Sequence, residues 1–178
     1  MAGEAIVLGE GVFAIGEADV GLTRGGGQFN VEREYRQVNA DGDRGPVKGR
    51  IRLVQSVATL QMNNLEIMVD DLDKFFPATK VAKDEGACET TFTGKRDVES
   101  TDYQATVTWT GRTMDGRACI ITLKNALNLG NLQWTMAERD EVVSQVTFTA
   151  TYDEANRLGD EEPWEVKWVE AGGEGEEV

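Results

Sequence analysis

The sequence predicts a mainly β protein, an antiparallel β-sandwich or barrel with one flanking α-helix. Three observations predict it. Apolar and polar residues alternate with a period of two through most of the apolar segments, the mark of strands with one buried face. Turn formers punctuate those segments, most plainly at Asp115-Gly116. A single stretch, about 64–76, repeats its apolar residues at helical spacing instead. With 178 residues, 40% of them hydrophobic, the chain has enough material for one domain with a real core.

The elements follow in order. Residues 1–27 read as an N-terminal arm and hinge, with apolar patches Ala5–Leu8 and Val12–Ile15 broken by glycine and ending in Gly25-Gly26-Gly27. That run lacks the closing Gly-Lys-Ser/Thr of a P-loop and leads into a strand, so it reads as a joint rather than a phosphate cradle. From Gln28 to Tyr35, Phe29, Val31, Arg33 and Tyr35 share one face, while Asn30, Glu32 and Glu34 share the other. Turn formers fill Gln37–Pro46, and alternation resumes with Val47, Ile51 and Leu53 opposite Lys48, Arg50 and Arg52. The link between these two strands, about ten residues, exceeds the usual two-to-five-residue hairpin loop, and long loops of this kind are often functional. Its Asp41-Gly42-Asp43 lacks the further ligands and closing glutamate of a calcium loop.

After Asn63 or Asn64 as candidate cap, Leu65, Met68, Val69, Leu72, Phe75 and Phe76 form an amphipathic stripe that Pro77 ends. Glu66, Asp70, Asp71, Asp73 and Lys74 occupy the solvated face. Strands are then expected at Ala87–Thr93, Tyr103–Thr110, Arg117–Leu123, Leu132–Met136 and Val142–Tyr152, for seven or eight in all. Residues 28–153 thus form the β domain, and 154–178 an acidic extension. From 153 to 178 there are ten acidic and two basic residues. Within the extension, Pro163–Val169 places Trp164, Val166 and Trp168 on one face. Tryptophans bury large areas on whatever they meet, so this strand packs either on its own domain or on a neighbouring subunit, and these three are candidate subunit contacts. The end Gly172–Val178 has a composition that orders only against a partner.

Absences exclude function classes. With no histidine, Ser-His-Asp and Cys-His catalysis and histidine metal sites are gone. Cys88 and Cys119 fall in expected strands and read as buried free thiols. No catalytic, metal or cofactor residues emerge. A net charge of −14 opposes phosphate neutralisation, the basis of DNA binding. No apolar run is long enough to span a membrane and the N-terminus lacks a basic leader, so a soluble, non-secreted protein is expected. Two other classes stay open. One is a monomeric binding module using Trp109, Trp134, Trp164 or Trp168 as a platform, with core packing the better role for Trp109 and Trp134. The other is a glycoside hydrolase with carboxylates about 5–10 Å apart.

Several stretches in order carry a resemblance. They are Val20–Glu34, Asp41-Gly42-Asp43-Arg44-Gly45-Pro46-Val47-Lys48-Gly49, Ala58-Thr59-Leu60, Asn64-Leu65-Glu66, Leu132–Glu138 and Val146–Asp153. Together, with a helix between two sets of strands, they resemble the major tail tube protein of long-tailed, non-contractile bacteriophages. The resemblance covers about residues 20–153. It implies a structural virion protein: six subunits per ring, inner strands joined into one continuous barrel, and rings stacked around a tape measure protein. The tail terminator and distal tail proteins are further implied partners. DNA passes through the lumen without specific binding, no membrane is involved, and assembly takes place in the host cytoplasm. It implies that the loop Gln37–Lys48 reaches the next ring, with Asp41, Asp43, Arg44 and Lys48 as inter-ring candidates. Glu32 and Glu34 are lumen candidates, because a repulsive lining avoids counterion-releasing contacts that would brake a moving duplex. The arm Met1–Ile15 is a further candidate contact. Tubes of contractile tails and Hcp-like rings of type VI secretion share this fold and form the alternative.

Overall fold

The structure is a computed structural model and describes residues 6–67, 69–134, 136, 138–159 and 161–170. Its strands are β1 (Val7–Ile15), β2 (Ala18–Asp19), β3 (Thr23–Gln37), β4 (Ile51–Asn64), β5 (Thr79–Asp84), β6 (Glu89–Gly94), β7 (Gln104–Thr113), β8 (Ala118–Asn128), β9 (Ser144–Thr149) and β10 (Trp164–Val169). One antiparallel sheet of eight strands runs β2-β1-β7-β8-β9-β4-β3, with β10 paired to β8. β5 and β6 form a separate hairpin.

β8 lets one sheet become two layers. Its first part lies between β7 and β10, with Trp164 opposite Leu123 and Val169 opposite Ala118. Its last residues, Leu127 and Asn128, pair with Thr149 and Phe148 of β9. Between the two parts Asn125 takes a left-handed backbone, φ 48°, a conformation that asparagine accepts more readily than most residues. The β9-β4-β3 half packs over the β1-β7-β8 half. Leu60, Met62, Val146 and Phe148 bury against Phe13, Val107 and Leu123, the interior that the period-two alternation predicts. Among the described residues no backbone pairing joins β3 to β10, and their facing edges meet through side chains: the Phe29 and Trp164 rings lie 5.8 Å apart and the Arg33 guanidinium 5.7 Å from the Trp164 ring.

The structure corrects several expectations. The helix expected at about 64–76 shrinks to a 3₁₀ turn, Val69–Asp71, and one α-helical turn, α1 (Leu72–Phe75). Pairing wins over periodicity there: β4 continues to Asn64, which sits opposite Thr23, and the Leu65 and Glu66 amides donate to the Leu22 carbonyl. Leu72, Phe75 and Phe76 still bury in the core, so the stripe is real although the helix is short. Met68 lies outside the described residues.

The expected arm and hinge are part of the sheet instead. Val12–Ile15 pairs with β7, Phe13, Ile15 and Val20 are buried, and Gly25–Gly27 lies inside β3. Gly27 is there for space: a Cβ would fall 2.6 Å from the Phe13 ring and closer still to the Gln61 carbonyl. Leu132–Met136 reduces to an isolated bridge between Trp134 and Ser144, and Cys88 lies exposed in the β5–β6 turn rather than buried in a strand, while Cys119 is buried. Met1–Ala5 and Ala171–Val178, which include parts of the expected arm and tail, lie outside the described residues.

Candidate functional site

Three surfaces stand out, and the first is an arm. β3 and β4 stay paired well past the body, from Glu34 opposite Gln55 to Gln37 opposite Ile51. Between Glu34 and Tyr35 the register shifts, leaving Val54 as an extra residue on β4. Every residue from Glu32 to Gln55 is exposed. Beyond the shift Tyr35 faces Leu53 and Arg36 faces Arg52, so the arm has an apolar face and a basic one. The apolar face continues the side of β3 that carries Phe29 and Val31 into the core, but about half of it stays open to solvent: Tyr35 is 56% exposed, Ile51 46% and Leu53 46%. Residues 35–53 hold five basic and two acidic residues, +3 in a chain of −14.

The tip is organised from within. Asp43 accepts the Ala40 amide at 2.8 Å and pairs with Arg50 at 2.7 Å, while the Val38 amide donates to the Arg50 carbonyl. Asp43 is therefore engaged inside its own loop. Asp41, Arg44 and Lys48 carry no ion pair among the described residues, and all three are exposed. The Gln37–Pro46 stretch that reads as a turn-rich loop thus lies at the end of a two-stranded projection.

The second surface is the outer face of the β9-β4-β3 half. β3 presents Gln28, Asn30, Glu32 and Glu34, β4 presents Thr59, Gln61 and Asn63, and β9 presents Gln145, Thr147 and Thr149. Side-chain amides bond along and across its strands: Asn30 donates to Glu32 within β3 at 3.3 Å, Asn63 of β4 to the Gly26 carbonyl of β3 at 3.3 Å and Gln145 of β9 to Asn63 at 3.5 Å. Between Gln28 and Glu34 its charged groups are Glu32 and Glu34, and the next pair outward on the same side, Arg36 and Arg52, makes the face basic where it runs onto the arm. Both lumen candidates thus sit together on a flat polar carpet.

The third surface is the seam where β10 meets β3. Trp164 and Val166 point to the interior side, with Trp164 half-buried against Phe29. Its indole N–H donates to Glu162 at 3.2 Å, and the Tyr152 hydroxyl donates to the same carboxylate oxygen at 3.0 Å. Burial first, and then the hydrogen bond to Glu162, hold the Tyr152 phenol above its ordinary pKa. The strand packs on its own domain, with Trp168 left 52% exposed at its end.

Concave sites are modest. A groove of about 210 Å³ between β1 and β3 is lined by Val7, Leu8, Phe13, Phe29, Trp109 and Ile121 and has no ionisable lining residue. A polar notch of about 460 Å³ at the root of the arm is lined by Leu53, Ser56, Tyr152, Arg157, Leu158 and Glu162. Among the described residues no three acidic or cysteine side chains converge as metal ligands, and no helix is long and apolar enough to cross a membrane.

Sequence reasoning found the long loop but missed that paired strands carry it outward. It also missed the apolar underside, whose residues read as ordinary half-buried strand positions. The unusual length of the two flanking alternations was the available signal. No protein-family model matches the chain, and no curated protein matches it by sequence.

Proposed function

We propose that the protein is a structural tube subunit: six copies form a ring, rings stack, and the tube encloses a tape measure protein and conducts DNA when a phage ejects its genome. The arm carries this reading. An isolated two-stranded hairpin is marginal in water, and one with tyrosine, isoleucine and leucine exposed along a face gains stability by covering that face with another molecule. In a stacked tube each ring supplies that cover to the next.

Two further features support the reading. A stretch of amides, hydroxyls and glutamates, free of lysine and arginine from Gln28 to Glu34, is suited to a lumen, since a duplex meeting cations would release counterions and stick. The unpaired edges of β3 and β10 are a hazard in a monomer and an asset in a ring, where joining strands removes edges. On this reading Glu32 and Glu34 face the lumen, Asp41, Arg44 and Lys48 are available at ring contacts, and Trp168 with Val166 lies at a subunit boundary. Tail terminator and distal tail proteins cap the tube, the protein resides in the virion tail after assembly in the host cytoplasm, and it has no catalytic role. A contractile-tail tube or an Hcp-like ring would use the same surfaces.

A monomeric binding module fits less well. It needs an aromatic platform, and of its four candidates Trp109, Trp134 and Trp164 are partly buried against the core, which leaves Trp168, 52% exposed, as a single ring. Negative-stain electron microscopy across a concentration series tests the proposal. Hollow rings or tubes with sixfold averages are expected. A monomer at every concentration that instead binds a ligand in a screen would shift the assignment to a binding module.

A further inference from the structure

The notch at the root of the arm, about 460 Å³, falls in the size range of small-molecule sites. Its floor is the outer part of β4. The Ala58 carbonyl accepts the Ala150 amide at 2.9 Å, one residue past the end of β9. Ser56, two residues further out, turns its own amide and carbonyl to the same side, where no strand pairs with β4 among the described residues. Ser56 is only 8% exposed, and its hydroxyl reaches no hydrogen-bond partner among the described residues. A buried hydroxyl without a partner is costly, and folded proteins keep few of them. Two walls line the rest of the notch. One is fixed by hydrogen bonds: a single oxygen of Glu162 accepts both the Tyr152 hydroxyl at 3.0 Å and the Trp164 indole N–H at 3.2 Å. The second Glu162 oxygen has no hydrogen bond among the described residues. The other wall is the turn Asp153–Gly159, in which the Asn156 amide donates to the Asp153 carbonyl at 3.0 Å and the Gly159 amide to the Asn156 carbonyl at 2.8 Å. That turn brings Arg157 and Leu158 to the notch, which Leu53 also lines.

We propose that this notch binds a small, neutral, polyhydroxylated ligand of the chemical class of a sugar. Its lining holds one charge of each sign, Arg157 and Glu162, so a ligand with a net charge meets a like charge there. The groups it offers are of both kinds. The Ser56 amide and the Arg157 guanidinium donate, the Ser56 carbonyl and the second Glu162 oxygen accept, and the Ser56 hydroxyl does both. A sugar hydroxyl also donates and accepts, so one ring satisfies several of these groups at once, while Leu53 and Leu158 meet its C–H faces. The Glu162 carboxylate is held in place before any ligand arrives, which lowers the ordering cost of binding. The site goes beyond the tube reading and does not depend on it, because every group named belongs to one copy.

The test is an NMR titration of the isotope-labelled full chain, kept dilute enough to stay unassembled. Glucose, galactose and N-acetylglucosamine are the neutral probes, and inorganic phosphate and putrescine the charged ones. A neutral sugar is expected to bind with a Kd of about 1–10 mM and to move the amide resonances of Ser56, Tyr152, Arg157 and Glu162. No movement at these amides with any of the sugars up to about 50 mM overturns the proposal, as does movement with phosphate or putrescine alone. Two variants separate the site from the fold. Arg157→Gln changes an exposed side chain and should weaken sugar binding about tenfold while the thermal midpoint holds. Ser56→Ala without sugar should melt at or above the wild-type midpoint, because a buried hydroxyl without a partner is gone, and sugar should no longer raise that midpoint. A lower midpoint without sugar means that the hydroxyl is already bonded within the fold, and removes the basis of the site. Sugar binding by Ser56→Ala at wild-type strength overturns it equally. Rings and tubes play no part in these readouts, so failure here leaves the tube reading standing.

Discussion

The Phe29 and Trp164 rings meet at 5.8 Å with their planes tilted by 59°, joining β3 to β10 across a gap that no backbone hydrogen bond spans among the described residues. Tilted aromatic pairs at this separation are favourable beyond the area they bury. Here the pair also anchors β10, which among the described residues pairs with β8 alone.

Trp164→Ala should therefore cost about 2–4 kcal/mol, the range for removing a large aromatic that is not fully enclosed. Urea unfolding measures the loss. Hydrogen exchange should show the amides of 164–169 losing protection before those of β4 and β9. Uniform loss across the sheet would mean that β10 is not a separate anchor.

Gly27→Ala should destabilise the fold by about 1–3 kcal/mol through overpacking, since the added methyl meets both the Phe13 ring and the Gln61 carbonyl. Its backbone is not in the left-handed region, so strain of that kind contributes nothing. A thermal midpoint equal to wild type would show that β1 and β3 separate easily, as a hinge in this region requires.

Stability should fall in acid over a defined window. Asp102 accepts the Glu99 and Ala78 amides at 2.9 and 3.1 Å and lies 3.4 Å from Lys95. Burial raises its pKa, but those bonds together outweigh it and bring the carboxyl below 3.8. Asp115 is held at about 2 by hydrogen bonds from Arg117 and Thr113. A carboxylate with a depressed folded pKa stabilises above its unfolded value and loses that contribution as pH falls through the folded one. The thermal midpoint should hold down to about pH 4 and then drop toward pH 2. Asp102→Asn should flatten part of that drop, and an unchanged acid profile would count against its role.

Replacing Gln37–Lys48 with a short Gly-Ser link should leave a folded monomer, because the removed residues are all exposed. Circular dichroism should keep its β signature while tubes disappear from micrographs. Normal tubes would remove the arm tip from the ring contact.

Glu32→Lys with Glu34→Lys should permit assembly but slow DNA ejection from reconstituted virions, by a factor that shrinks as salt rises. Equal ejection kinetics in low salt would show that these glutamates do not line the path.

Much of the architecture was legible in residue order. The alternation Phe29–Val31 and Val146–Phe148 predicted buried faces because a strand's two sides meet different solvents. The pairing of Trp164 with the core was half legible: tryptophans in an acidic tail must be covered, but alternation alone does not say by which molecule. The helix at 64–76 misled because leucine and phenylalanine at helical spacing also suit a turn that folds back onto a sheet, and the amides of Leu65 and Glu66 had a carbonyl waiting at Leu22. Gly25–Gly27 misled likewise, since glycine marks both freedom and close approach, and only the Phe13 ring tells which applies.

By itself the sequence determined a β-rich, acidic chain without histidine chemistry, with two-sided strands and one overlong connection. These are local properties, set by side-chain type and by period along the chain. Tertiary structure alone decided that β8 bends at Asn125 to serve both layers, that β10 lies on its own domain, and that Tyr35, Ile51 and Leu53 are carried onto a face left about half open to solvent. Each depends on which distant segment supplies a partner, and period along a strand records that a side is apolar without recording what lies opposite it.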